Sequence, residues 1–408
     1  MTKVLPGLTR RSVLKTTALG GVATLALPGY LRAQGAPIKV GILQPVTGAL
    51  SYSGQQGRLG AEAAIQEINA AGGIKSMGGA KLEMVFGDAR STPDGGTQEV
   101  ERMNGEGVVA IVGGFGSSIC LAASQAAARY DIPYLVDVGV AENITARGLK
   151  NTFRFTAGLN QVVEKGIANL IALNESSGSP LKTVMIVHED SLFGSGMAKA
   201  LNDALPGKGY QILSTIPHPT PIRDFNNVVL QIRAQNPDII IPSNYYNEYV
   251  LLARAMVQQR ARPKAIYSIL GGAASSPRFV KEFPDAANLV IDCNHWINAK
   301  NPRAEALKTK IESGGNFFTY EVFNNYSNVL LLADALERAG SADRGKLIEA
   351  IASSAFEGHI MPYGPTKFVN GQNQGAQPVV TQVQGGEIKV VRPDEFANAK
   401  AVFPFPPA

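Results

Sequence analysis

Val108-Val109-Ala110-Ile111-Val112-Gly113-Gly114-Phe115-Gly116-Ser117-Ser118 runs from an unbroken apolar segment, through glycines, to a pair of serines. An apolar run of this length without alternation reads as a parallel strand covered on both faces. The glycines permit a tight turn, and the serines open a helix that the pattern carries to Tyr130. A strand that ends in glycines and feeds a helix N-terminus presents free backbone N–H groups and a hydroxyl, which favour an anion.

The same unit recurs on both sides of this stretch. Ile38 to Leu43 reads as a strand, and Leu59, Ala63, Ile65 and Ile68 recur at helical spacing between Gly54 and Ala71. Lys81 to Phe86 and Tyr134 to Val138 are further strands. The alternation restarts after Phe153-Arg154-Phe155, with helices near 162–173, 195–205, 224–234 and 246–260 and strands near 183–187, 210–216, 238–241, 265–270 and 288–292. From Pro302 the texture changes to consecutive helices (about 302–313, 320–339 and 343–353), and the tail alternates as antiparallel strands do at Gln377–Val383 and Glu387–Val391. Repeated β-α units imply doubly wound α/β sheets, here two of similar size, with the chain crossing between them more than once.

The chain has 408 residues, enough for two or three domains, and its 45% hydrophobic and 17% charged content excludes a disordered chain. Its net charge of +5 comes from Lys3, Arg10, Arg11, Lys15 and Arg32, which precede any acid. The remainder holds 38 − 5 = 33 basic groups against 33 acidic ones, so no basic track for nucleic acid is left. The arginine pair at 10–11 stands before a mild apolar stretch, Thr16 to Leu27, broken by Pro28-Gly29 and followed by Leu31-Arg32-Ala33. That pattern resembles a twin-arginine signal peptide over residues 1–33, with an ordinary secretory signal as the alternative. It implies export to the periplasm with no stable membrane insertion.

Cys120 and Cys293 are expected as buried free thiols. The four histidines are scattered without metal-ligand spacing, so no metal and no other cofactor is expected. There is no Gly-x-x-x-x-Gly-Lys loop, His-Glu-x-x-His or Gly-x-Ser-x-Gly elbow, and the glycines at 113–116 lack the dinucleotide spacing. Catalysis is not expected.

Ile38-Lys39-Val40-Gly41-Ile42, Gly60-Ala61-Glu62 with Gly72-Gly73, Val112-Gly113-Gly114 with Ser117-Ser118, Asp190-Ser191-Leu192-Phe193-Gly194 and Asn236-Pro237-Asp238 follow one another in order. Together they resemble the ligand-binding proteins of branched-chain amino-acid ABC transporters, the type I periplasmic binding proteins. The resemblance implies two Rossmann-like lobes, 37–157 plus 294–361 and 158–293 plus 362–408, joined by three hinge crossings near Ala157, Asn294 and Met361. It also implies a ligand cleft between the lobes, a monomeric state and delivery of the ligand to an ABC permease, with a sensory ligand-binding protein of the same fold as the alternative.

By that resemblance Ser117 and Ser118 hold a ligand carboxylate or amide, with Phe115 lining the pocket. Phe193 and Tyr245 face the ligand from the second lobe, flanked by Asn244 and Tyr246. Tyr52 and Ser53, in the loop after the first strand, are further contacts, and Trp296 is assigned to packing between lobes. Amino-acid binders of the family hold the ammonium with a hydroxyl residue where this chain has Val140, and with an acid where it has Ile269-Leu270-Gly271-Gly272-Ala273. A buried ammonium without partners is costly. A carboxylate or amide with an apolar or aromatic body is therefore expected over a standard α-amino acid.

Overall fold

A computed structural model describes Met1 and residues 35–178 and 180–406. The leader reading at 1–33 lies outside the described residues, Met1 apart. Strands and helices alternate as β1 (Ile38–Gln44), α1 (Ser51–Ala70), β2 (Leu82–Asp88), α2 (Pro93–Gly105), β3 (Ala110–Gly113), α3 (Ser117–Ala128), β4 (Tyr134–Val136) and β5 (Thr152–Arg154). The second series is α4 (Leu159–Ser176), β6 (Thr183–Glu189), α5 (Leu192–Ala204), β7 (Gln211–His218), α6 (Asn226–Gln235), β8 (Ile239–Ser243), α7 (Tyr246–Gln258), β9 (Ala265–Ile269), α8 (Pro277–Glu282), α9 (Pro284–Ala287) and β10 (Ile291–Asn294). Then come α10 (Pro302–Ser313), α11 (Tyr320–Ala339), α12 (Arg344–Ala352), and the strands β11 (Phe368–Val369), β12 (Gln372–Asn373), β13 (Val379–Gln384) and β14 (Glu387–Arg392).

Two seven-stranded sheets result, ordered β2-β1-β3-β4-β5-β12-β11 and β7-β6-β8-β9-β10-β13-β14. The five leading strands of each sheet are parallel and share one winding order. Such a sheet reverses direction beside its first strand, and the crevice outside the strand C-termini there is where ligands sit. In the first sheet that point lies between the ends of β1 and β3; in the second it lies between β6 and β8. The strand cores are apolar on both faces, as Ile239, Ile240 and Ile241 illustrate by being wholly buried. Helices α1 and α11 cover the first sheet side by side.

The chain leaves the first sheet after β5, returns after β10, and leaves again between Asn373 and Val379 rather than near Met361. The last crossing is late because β12 pairs with β5 at Gln372 and Arg154, and the Asn373 amide donates to the Phe155 carbonyl at 2.9 Å. Strands of two residues are too short to carry an apolar run by which to be recognised. Helix α1 also starts at Ser51, so Tyr52 and Ser53 belong to its first turn and not to a loop. Cys120 and Cys293 are free, buried thiols, one in each lobe. No helix among the described residues is long and apolar enough to cross a membrane.

Candidate functional site

Helix α3 begins at the switch point of the first sheet. Its N-cap is Gly116, at φ 91°, a left-handed conformation that favours glycine, and a Cβ there would also press on Leu50. No side chain caps this terminus and no acid lies in its first turn. The Ser117 hydroxyl is turned to the neighbouring loop, where it accepts from the Ala141 N–H at 3.2 Å. The N–H groups of the first helical turn have no preceding carbonyls to bond.

Two buried networks hold this wall in place. Gln44, at the end of β1, accepts from the Phe115 N–H at 3.2 Å and donates to Asp137 at 2.7 Å and Asn325 at 3.0 Å. Asp137 follows β4 and ends it early, since its carboxylate is drawn to Gln44 and Asn325; burial raises its pKa. Arg154, wholly buried at the end of β5, donates to the Val140 and Ala141 carbonyls at 2.6 and 2.7 Å. Burial lowers its pKa to about 10, with the Glu142 carboxylate at 3.8 Å opposing the shift.

The second lobe presents two further helix N-termini. Glu189, at the end of β6, folds its carboxylate onto the start of α5, accepting from the Ser191 N–H at 2.6 Å and from the Gly194 N–H. Burial nevertheless raises its pKa. Helix α7 begins after Tyr245, whose ring is fixed by contact with Phe193 at 5.5 Å between centroids and by Gly272 packed against its backbone. A Cβ at Gly272 would lie 2.6 Å from the Asn244 carbonyl oxygen and the Tyr245 carbonyl carbon.

The two walls meet. Phe115 of the first lobe contacts Tyr245 of the second at 5.6 Å, and Tyr52 contacts Tyr246 at 4.2 Å. Arg278 lies over the Tyr52 ring at 5.0 Å, and the Asn247 amide donates to the Ala49 carbonyl at 3.3 Å. Between the lobes Phe115, Gly116, Ser117, Val138, Gly139, Val140, Phe193, Tyr245, Leu270 and Tyr320 enclose about 30 Å³. At ~10–15 Å³ of such space per water, this volume has room for two or three waters.

Of the residues expected from the sequence, Phe115, Ser117, Val140, Phe193 and Tyr245 line this cavity, while Ser118 is half-buried beside it. Tyr52 and Tyr246 form the neighbouring contact between lobes. Asn244 does not line the cavity: its amide nitrogen engages the His218 ring and its oxygen has no partner. Trp296 packs edge-on against Phe323 at 5.8 Å. The sequence reading missed Tyr320, since a tyrosine opening a late helix carries no local signal of facing a cleft built by other segments. It also missed the buried carboxylates. The segment Ile269–Ala273 holds none, yet Glu189, Glu248 and Glu321 approach the cleft from other elements, each with its pKa raised by burial. No cluster of three metal-ligating side chains occurs among the described residues.

Two doubly wound lobes with a ring-lined cleft at their facing switch points define a binding protein that closes on a small solute. The chain belongs to the periplasmic binding protein family, whose model matches residues 37–387, and within it to the type I, branched-chain amino-acid group. It is 28% identical over 388 residues to Leu/Ile/Val-binding protein homolog 8 of Brucella melitensis biotype 1, covering 90% of this chain and 93% of that protein. Its fold is similar to that of a leucine-binding protein from Thermotoga maritima MSB8, with TM-score 0.74 and 23% identity over 86% of this chain and 97% of the other. It is similar also to an ABC-transporter solute-binding protein from R. palustris in complex with benzoate, with TM-score 0.75 and 19% identity over 90% and 100%.

Proposed function

We propose that this protein is the exported, monomeric solute-binding component of an ABC transporter, capturing a small carboxylate or amide with an aromatic or apolar body. The leader at 1–33 directs it to the periplasm by the twin-arginine route, and the closed form is delivered to a permease. The observation that carries the ligand class is the α3 N-terminus, free of any acid, opening onto a cavity walled by Phe115, Phe193, Tyr245 and Tyr320. The terminus offers N–H groups and positive helix-dipole potential to a carboxylate, the rings cover an apolar body, and Ser117 and Ser118 stand beside the anion. Capture is reversible binding, with closure favoured by contacts that a ligand makes with both lobes at once.

The benzoate complex of a structural relative agrees with this ligand class. The relatedness to Leu/Ile/Val-binding homologues favours a second reading, a branched-chain amino acid. Thermal-shift measurements on the processed chain separate the two. Benzoates, short amides, urea, leucine, isoleucine and valine form the panel, with calorimetry on any hit. A melting-temperature rise with aromatic carboxylates supports the proposal; a rise confined to leucine, isoleucine and valine refutes it.

A further inference from the structure

Arg154 is wholly buried, and oxygens of neutral groups hold its guanidinium. Nη1 donates to the Val140 carbonyl at 2.6 Å and to the Ala141 carbonyl at 2.7 Å, and Nε donates to the Gln372 side chain. Its one ion-pair contact among the described residues is Glu142 at 3.8 Å. That carboxylate is 41% exposed and already accepts from the Asn160 N–H at 2.7 Å. The chain makes room for the cation, since a Cβ at Gly158 would collide with Nη2. A clamp on two carbonyls needs donors but no charge. Burying a charge without a close partner is costly, so the charge itself needs a physical reason.

The carbonyl that Arg154 grips at Val140 shares its peptide unit with the Ala141 N–H, which donates to Ser117 Oγ at 3.2 Å. The Leu159 N–H donates to the same Val140 carbonyl at 2.9 Å and fixes the peptide's orientation. Ser117 is 2% exposed and lines the ring cavity beside Val140. Its oxygen accepts from Ala141, and its own proton meets no acceptor among the described residues, so it is left to point at a guest. A cation on a carbonyl polarises the peptide and strengthens its N–H as a donor. A hydroxyl that accepts a stronger bond in turn offers a better proton. We propose that Arg154 is a positioning residue for ligand capture: through the Val140–Ala141 peptide it orients the Ser117 hydroxyl and polarises it as a donor to the ligand's carboxylate. This rests on the carboxylate reading above and deepens it, by naming the charge that stands behind the serine. The relay favours an anion over a neutral amide of the same shape, because a polarised donor gains most against a full charge.

Calorimetric titration with benzoate and with benzamide, which replaces the carboxylate by a neutral group, tests this on the processed wild-type, Arg154→Gln, Arg154→Lys and Ser117→Ala chains. A thermal melt checks that each is folded. Arg154→Gln keeps a donor for the carbonyls and removes the charge. It should weaken benzoate about tenfold and benzamide no more than about twofold. Arg154→Lys restores the charge and should recover most of the benzoate affinity. Ser117→Ala leaves the guanidinium in place and should show the same selective loss. Adding Arg154→Gln to it should cost less than about threefold more, since both changes cut one relay. Equal losses for the two ligands in Arg154→Gln, or losses that multiply in the double variant, overturn the relay and leave Arg154 a structural clamp. If Arg154→Gln does not fold, Ser117→Ala decides, and an equal loss for benzoate and benzamide there overturns the relay. Should the wild-type chain bind leucine and neither ring compound, the ligand class proposed above fails on its own. Leucine against leucinamide in the same variants then reads the relay by the same criteria.

Discussion

Helices α3 and α5 each follow a strand at the switch point of their sheet, and they differ in what sits on their N-termini. Glu189 fills the start of α5 with a carboxylate of the chain's own, while α3 has neither a capping side chain nor an acid. In the second lobe α7 likewise carries Glu248 in its first turn. The second wall carries acids of its own at these termini and contributes rings; no acid lies in the first turn of α3. The fold alone does not decide where an anion binds, because it supplies several helix termini to one cleft. The side chains that close some of them decide it.

The most direct way to break this asymmetry is to give α3 an acid of its own. Ser118→Asp places a carboxylate on its first turn at a half-buried position. Affinity for a carboxylate ligand should drop about a hundredfold or more through like-charge repulsion and competition for the same N–H groups. The melting temperature should hold or rise slightly, since an acid at a helix N-terminus is favourable. Calorimetry and a thermal melt on one preparation read both; undiminished affinity would place the anion elsewhere.

The converse change empties α5. Glu189→Ala leaves the Ser191 and Gly194 N–H groups without their acceptor and should cost about 1–2 kcal/mol of stability by denaturant unfolding. Glu189→Gln keeps one acceptor oxygen and removes a buried charge, so it should cost markedly less. Equal losses in the two variants would mean that the carboxylate acts through packing and not as a cap.

The α3 side of this asymmetry was anticipated from the sequence, the acids on α5 and α7 were not, and the missing parts share a cause. Val108–Ser118 announced the open terminus because strand, glycines and serines are contiguous, and Phe193 and Tyr245 stand beside comparable junctions. The tail strands at 379–384 and 387–392 were legible from alternation. Arg154 and Tyr320 were not, because each meets a loop or cavity assembled from segments more than a dozen residues away, and nothing adjacent marks it. The late crossing after Asn373 was hidden for the same reason: its evidence is a pairing with β5, across more than two hundred residues.

A smaller effect should appear in the pH dependence of the second lobe. Burial raises the pKa of Glu248, the Glu189 carboxylate nearby adds to the rise, and one Glu248 oxygen is buried without a partner. An acid whose folded-state pKa is raised binds its proton more tightly in the native state. Its contribution to stability is therefore fully present below the ordinary glutamate value of ~4.3 and is lost as pH rises through the folded-state value. Glu248→Gln should flatten the decline of the melting temperature from about pH 5 towards neutrality, with little change at the acid end. Asp137, Glu321 and Asp292 are raised in the same direction and remain in the variant, so the decline should lessen and not vanish.

The smallest expected effect lies where the two lobes touch. Arg278 stands over Tyr52 at 5.0 Å and Tyr246 at 5.8 Å, while its guanidinium also pairs with Glu282 at 2.9 Å. Only the ring contact with Tyr52 crosses between lobes, so only that part favours closure. A cation–π contact at a partly exposed site contributes ~0.5–1 kcal/mol, which corresponds to a two- to fivefold loss of ligand affinity in Arg278→Ala. The loss should appear as faster dissociation in stopped-flow measurements, because the contact forms only after the lobes meet. Arg278→Lys, which keeps the charge but not the planar stack, should fall between the two. Were Arg278→Ala instead to slow association with dissociation unchanged, the arginine would act by attracting the anion to the open cleft, and the asymmetry between the walls would extend to charge at long range.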